Sequence, residues 1–397
     1  MAFSVAPLWS ATNLLVALSS LAIFVLLRLT YPINNPMTPR RAIPSPRETL
    51  IPFLSRSQAT ALPYPPNFLP GSRDVDTPYG MMRVYEWGPE EGRKVVMVHG
   101  DTTPGPMLGP VAKALVQRGC RVIILDLWGR GYSDSPLDVP HDARLFSMQI
   151  LFAAASSPLS WTGATSGGFS VIAFSLGCGV AMSFASHFPF LVNTIILLAP
   201  GGLLRRMPDG YDSLFFRYPS LVPLAYLRRL VGKILGVTLS GVPINQTLTE
   251  TNVPAAPGVP PSSETKENQD LDIPAIVQWQ FDNHQGFVHS FVNTINHGPL
   301  MHQHSEWSNI CKIIRGESSS APASSLSSQV HNSKILVLLG EADGIVLVNE
   351  VSEDLLQILG PEHIEFRTIP GGHGFPVPHS EDVIEEISKF WKLQVVD

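Results

Sequence analysis

The chain has 397 residues, 44% hydrophobic and 15% charged, with a formal net charge of −6 and a pI near 6.1. That length allows one catalytic domain of about 250 residues with insertions, and an acidic balance without any Lys/Arg run excludes a nucleic-acid-binding role. Cys120, Cys178 and Cys311, odd in number and far apart, read as reduced thiols rather than as a disulfide framework.

From Met1 to Leu27 there is no charged side chain. A helix from Trp9 to Tyr31 would rise roughly 33 Å, about one bilayer core, with an aromatic residue at each edge. Neither a basic leader nor a small-residue cleavage site is evident, so residues 1–31 are expected to form an uncleaved transmembrane helix. Arg28, Arg40, Arg41 and Arg47 follow the span and no basic residue precedes it. This bias predicts a single-pass protein of the endoplasmic reticulum or another endomembrane, with its catalytic domain cytosolic. The sequon at 245–247 is a weak sign for the lumenal face. Residues 32–71 carry ten prolines, including P-Y-P-P at 63–66, which predicts an extended tether.

Strand and helix patterns alternate from 79 to 200. Lys94–Val98 is a short apolar run ending in His99, Gly100, Asp101, Thr102 and Thr103. Met107–Arg118 places Leu108, Val111 and Leu115 at helical spacing, with Gly119 as the stop. Arg121–Asp126 is the next strand and leads into L-W-G-R-G-Y-S-D. Phe169–Ala173 runs directly into Phe174, Ser175, Leu176 and Gly177. Such a small-x-Ser-x-Gly pattern after a strand predicts a sharp strand-to-helix turn that lifts the serine clear of the sheet. Cys178, on the helix that follows, reads as a packing residue.

A serine hydroxyl needs an imidazole to take its proton and a carboxylate to orient that imidazole. Lys334–Leu339 reads as a buried strand followed by G-E-A-D-G, which puts Asp343 in the loop at its carboxyl end; Glu341 is a rival acid. His363–Ile369 is the last strand, and His373 follows it between glycines. Ser175, Asp343 and His373 thus occur in the order Ser, Asp, His. The N–H of Leu176 and that of Asp101 are the expected donors to an oxyanion. A carboxylate beside a developing negative charge would oppose it, so the Asp101 side chain is expected to turn away, or Thr102 to supply the donor instead. His99 is expected to brace its turn rather than react.

Between 201 and 333 the alternation fails, which predicts a helical cap insertion carrying poorly ordered stretches at 247–270 and 317–333. The core is expected over 72–200 and 334–397, closing with a helix from Ser380 to Leu393. His284, His289, His297, His302 and His304 raise a metal hypothesis. Only Glu306 joins them in ligand spacing, so a structural or pocket-wall role is expected, with no metal and no cofactor.

Taken in order, the His-Gly turn, D-x-x-G-x-G-x-S at 126–133, the serine elbow, G-x-x-D and G-G-H-G resemble the α/β-hydrolase superfamily over residues 79–395. The stretches H-G-D-T-T-P-G-P, H-D-A-R-L-F, S-S-P-L-S-W-T-G and G-F-V-H-S-F-V-N-T-I resemble fungal serine hydrolases of the esterase/lipase type, some of which accompany toxin or secondary-metabolite pathways. The resemblance implies an α/β fold with a mostly parallel central sheet and helices on both faces. It also implies a structural role for Asp126 and cleavage of small-molecule or lipid esters through an acyl-enzyme. Using the same three residues, an acyltransferase or a tailoring enzyme of a biosynthetic pathway is an alternative; a non-catalytic ligand-binding protein is another.

Overall fold

A computed structural model describes residues 11–30, 41–163, 166–238, 271–317 and 334–393. Eight strands build one sheet: β1 (Ser72–Thr77), β2 (Gly80–Trp87), β3 (Arg93–Val98), β4 (Cys120–Leu125), β5 (Phe169–Phe174), β6 (Val192–Leu198), β7 (Ile335–Gly340) and β8 (Ile364–Ile369). Across the sheet the order is β8-β7-β6-β5-β3-β4-β2-β1. β2 runs antiparallel to both neighbours, and every other pairing is parallel. Each residue of β5 and β7 is buried, so both faces of the sheet are covered there. That is why these strands read as unbroken apolar runs instead of alternating ones.

The main helices are α1 (Gly109–Gln117), α2 (Ala143–Ala155), α3 (Leu176–His187), α4 (Leu224–Leu235), α5 (Ile273–Asn283), α6 (Phe287–His297), α7 (His304–Ile314), α8 (Val348–Leu359) and α9 (Ser380–Trp391). α2, α3, α7 and α8 pack in a contiguous row, while α9 packs on α1. β3 lies between β4 and β5, where the strand order reverses, and crevices for ligands open at the carboxyl ends of strands at such a point.

α4, α5 and α6 form the expected cap around a small core of their own, with Phe216, Leu227, Val231, Phe281, Phe287 and Phe291 buried together. The cap is shorter than the 201–333 expected. α7 lies inside that interval yet packs on α3 and α8, with Trp307, Ile310 and Ile314 in the main core. Two parallel strands need a crossover, and α7 is the one between β6 and β7. Residues 239–270 and 318–333, which contain the sequon and nearly all of the two stretches expected to be poorly ordered, lie outside the described residues.

The amino-terminal third differs most from expectation. Residues 41–71 are not an extended tether. Ala42 and Ile43 pair with Pro136 and Ser135, and the Ser45 N–H donates to Asp134 at 2.9 Å. Tyr64 is fully buried, its hydroxyl 2.8 Å from Asp126 and 2.6 Å from the Tyr85 hydroxyl. Pro46 occupies the first turn of a short helix, where its missing N–H costs nothing, and Ser55 with Gln58 forms a capping box. Further upstream a helix runs from Ala11 to Thr30. Among the described residues no helix is long and apolar enough to cross a membrane; residues 1–10 and 31 of the span expected over 1–31 lie outside the described residues.

Candidate active site

Ser175 sits between β5 and α3 with φ 53° and ψ −122°, a backbone conformation that residues with a side chain rarely adopt. The fold holds it there on all sides. Its N–H donates to Leu198 at 3.0 Å, and its carbonyl accepts from Cys178 at 2.9 Å and Gly201 at 3.0 Å. A Cβ on residue 177 would stand 2.4 Å from the Val98 carbonyl oxygen, so only glycine fits. Cys178 is buried and directs its thiol at the Ala173 carbonyl, 3.1 Å away, as a packing residue does; burial pushes that thiol's pKa up.

Three and four residues beyond the aligned ends of β7 and β8, Gly340 and Ile369, stand Asp343 and His373. The two loops are bonded to each other, with Ala342 N–H donating to Gly371 at 2.9 Å. A Cβ at Gly340 would meet the Gly371 and Gly372 carbonyl oxygens at 3.0 and 2.9 Å, so the glycine permits this closeness. Asp343 is buried and accepts with Oδ1 from Ile345 and Val346 N–H at 2.8 and 2.9 Å. Its Oδ2 lies 2.8 Å from His373 Nδ1, and His373 Nε2 lies 2.9 Å from Ser175 Oγ. With Nδ1–H donating to the carboxylate, Nε2 is free to accept the serine proton. Glu341, the rival acid, faces solvent. The three residues are therefore joined in one hydrogen-bond chain.

β3 and β5 are neighbours with Val98 opposite Ala173, so the His99–Asp101 turn and the Ser175 elbow leave the sheet side by side. A Cβ at Gly100 would fall 3.2 Å from Ser175 Cβ. Leu176 opens α3, so no carbonyl within the helix takes its N–H. His99 is wholly buried, facing the Gly100 carbonyl through Nδ1 at 2.7 Å and accepting from Leu127 N–H through Nε2 at 2.8 Å. Burial holds it neutral, its pKa lowered to about 3, and it braces the turn. Asp126 braces the neighbouring loop in the same way. It accepts from Gly105 N–H and Tyr132 N–H, each at 2.9 Å, and burial raises its pKa to about 6.

Arg130 is a residue that the sequence reading missed. Fully buried, its Nε donates to the Asp101 carbonyl at 2.9 Å and its Nη2 pairs with the Asp101 carboxylate. The remaining N–H groups reach the Trp128 carbonyl at 2.7 Å and, on α6, Ser290 at 2.5 Å and Thr294 at 3.0 Å. The charge of the Asp101 side chain, expected to turn away from the serine, is met by a guanidinium. Gln280 on α5 adds a second clamp, accepting from Gly131 N–H at 2.8 Å and donating to the Thr102 carbonyl at 3.0 Å. Both clamps bind cap to core beside Ser175. The pairing of an unusual Asp after His-Gly with the Arg of G-R-G was the only sign of it in the sequence.

The five histidines do not converge. His284 is buried against the Ser133 carbonyl at 2.8 Å and His289 lies 3.2 Å from Ser135, while His297, His302 and His304 are exposed. Among the described residues no group of three or more His, Cys, Asp or Glu is placed to hold a metal ion. His141 joins His284 and His289 around the Arg130 network, its ring nitrogens 3.0 Å from the Pro136 carbonyl and 2.7 Å from Ser290 Oγ. Burial lowers all three, His141 to about 3 and His284 to about 4, and the Arg130 charge lowers them further.

Replacing Arg130 with Met strands the Asp101 carboxylate, whose Oδ2 already lacks a hydrogen-bond partner. Urea melts should show a loss of roughly 3–5 kcal/mol, and Asp101→Asn combined with Arg130→Met should cost less than the sum of the single changes. Additive losses would exclude the pairing. His141 supplies a pH test. Its folded value of about 3 is depressed, while the unfolded chain titrates near 6.5, so the unfolded state takes up a proton that the folded one refuses. Stability from this residue is complete above about pH 6.5 and drains away toward pH 3, by about 1.4 kcal/mol per pH unit. His141→Gln keeps an acceptor and a donor without a proton to bind, and should flatten the slope of unfolding free energy by about one proton between these values. Identical slopes would remove His141 from the acid-labile set.

Residues 95–379 match the family model described as alpha/beta hydrolase fold. An uncharacterized protein of Mycobacterium tuberculosis (strain ATCC 25618 / H37Rv) is 31% identical over 162 residues, covering 38% of this chain and 45% of the relative. A serine hydrolase-like protein of Dictyostelium discoideum is 29% identical over 138 residues, covering 33% and 35%. The chain thus spans less than half the length of these relatives. Among solved structures, a thermophilic esterase from Thermogutta terrifontis superposes with a TM-score of 0.53 at 16% identity, over 81% of this chain and 98% of that one. Naproxen esterase from Bacillus subtilis gives 0.52 at 17%, over 84% and 95%, a likeness of fold. With a family match that spans most of its length and a serine, a histidine and an aspartate joined at its strand ends, the chain belongs to the α/β-hydrolase family.

Proposed function

We propose that the protein cleaves carboxylic esters of lipophilic compounds through an acyl-enzyme. Ser175 Oγ attacks the acyl carbon while its proton passes to His373 Nε2. The backbone N–H groups of Leu176 and Asp101 receive the negative charge that builds on the carbonyl oxygen. As the tetrahedral intermediate collapses, His373 returns the proton to the departing alkoxide, which leaves as an alcohol. Water then repeats the sequence and releases the acid. Asp343 keeps His373 in the tautomer that accepts from Ser175 and stabilises the imidazolium. The observation that carries this reading is the unbroken hydrogen-bond path from Ser175 through His373 to Asp343. A lipophilic substrate is supported by the large apolar side chains that the cap exposes, among them Leu214, Phe215 and Leu224.

Two measurements test this. A fluorophosphonate probe should label the wild type and not Ser175→Ala, and turnover of p-nitrophenyl esters should fall roughly 10⁶-fold in Ser175→Ala and about 10⁴-fold in Asp343→Asn, with Glu341→Gln close to wild type. Absence of labelling in the folded protein would end the esterase reading; a rate peak at the shortest acyl chain would end its lipophilic half.

We place the enzyme at an endomembrane through its amino-terminal helix, with the hydrolase domain on the cytosolic side. Support comes from the uncharged run from Met1 to Leu27 and from the basic residues that follow it. In sealed microsomes carrying the full chain, added protease should digest the hydrolase domain without detergent. Protection until detergent is added would reverse the orientation.

A further inference from the structure

The outer side of the cap carries large apolar side chains that the fold leaves in solvent. Leu214 is 68% exposed and Leu224 62%, and Phe215, Tyr218 and Tyr226 are also exposed. These residues form one patch: the Phe215 and Tyr226 rings meet edge to face with centroids 5.0 Å apart. Such a cluster on a soluble surface marks a contact site for something apolar. Behind it, Phe216, Leu227 and Val231 are buried, so the exposed residues are not surplus from the cap's own core.

Two observations identify the occupant as a lipid surface. The first is charge. Between residues 205 and 233 there are six Lys/Arg against two Asp, in a chain whose formal net charge is −6. Exposed Arg217, Arg229 and Lys233 make no ion pair among the described residues. Aromatic and aliphatic side chains bordered by unpaired cations suit the boundary of a bilayer with anionic headgroups, where each cation near the surface adds about 1 kcal/mol. The second is the helix Ala11–Thr30, which touches the cap at Pro219–Leu221. Its Val16, Leu18, Leu21 and Ile23 are more than half exposed, and at 100° per residue they point to different sides. A helix apolar around its circumference is stable only inside a protein core or among lipids. Among the described residues, Val16, Leu18, Leu21 and Ile23 belong to no hydrophobic core. Helix and patch lie together, so one lipid surface can cover both.

We propose that the outer cap face, Leu214, Phe215, Tyr218, Leu224 and Tyr226, docks on an anionic membrane beside the amino-terminal helix, so that substrate reaches Ser175 from the lipid phase. This deepens the esterase reading by naming the phase that supplies the substrate, and rests on it for that step alone. The three native cysteines are buried, so Leu224→Cys in the full chain can be labelled selectively with an environment-sensitive nitrobenzoxadiazole fluorophore. Glu90→Cys, exposed in the turn before β3 and thus at the opposite end of the parallel strands, is the control.

In vesicles of phosphatidylcholine with phosphatidylserine, the label at 224 should shift to the blue and brighten several-fold, and bromolipids should quench it, while the label at 90 keeps its aqueous emission. A water-like label at 224 in protein that floats with the vesicles would overturn the proposal, as would failure to float. A blue shift that grows with protein concentration without vesicles would assign the face to a second copy of the chain instead, and so also overturn it. Fluorophosphonate labelling of Ser175 in the same vesicles reads the esterase assignment separately, so the failure of one is not mistaken for the failure of the other.

Discussion

Everything at this site depends on the backbone of one residue. Ser175 is held at φ 53°, a conformation that costs roughly 1–3 kcal/mol, and the fold supplies that energy through hydrogen bonds from three directions. The compensation works only because the neighbours are small. Gly177 lets α3 press against the end of β3, and Gly201 lets the turn after β6 approach the Ser175 carbonyl, where a Cβ would stand 3.0 Å away. With the serine raised between β3 and β6, the loops after β7 and β8 bring their acid and base to it from one side. The His99–Asp101 turn closes from the other.

A second constraint is electrostatic. The region beneath the cap is buried and polar, and each charge in it must be matched. Asp101 lies next to where an oxyanion would form, and an unmatched carboxylate there would oppose the chemistry; Arg130 cancels it with a guanidinium whose donors are all committed. Burial first, and that cation after it, disfavour protonated histidines nearby, and His141, His284 and His289 are all lowered around it. Because Ser290 and Thr294 belong to α6, any motion lifting α6 would leave a buried guanidinium short of acceptors. α4 is tied to α5 by Arg228, which donates to the Phe281 carbonyl at 2.6 Å and pairs with Asp282 at 3.2 Å.

What could be read in advance follows from the range of each interaction. Apolar runs such as I-L-V-L-L-G and the small residues around Ser175 are local, so the strands, the elbow and the order Ser, Asp, His were legible. Asp343 could be preferred to Glu341 by spacing, and the burial of Asp343 against the exposure of Glu341 gives the physical reason. Composition misled over 41–71, because proline serves both an extended chain and the first turn of a helix. Nothing local reveals that Tyr64 will bury its hydroxyl on Asp126, 62 positions away. α7 was hidden by the histidines around it, although Trp307, Ile310 and Ile314 have helical spacing. Arg130 was illegible for the same reason as Tyr64: its partners lie 29, 160 and 164 positions distant.

The two halves of the cap connect these observations. Its inner side is polar and bonded to the oxyanion turn through α6; its outer side, around α4, is apolar and cationic. Between them lies a single layer of aromatic packing, with Phe291 against Phe216 at 6.2 Å and against Tyr211 at 5.5 Å. Packed helices stand about 8–10 Å apart, so a lipid surface on the α4 side would be separated from the Arg130 network by about one helix.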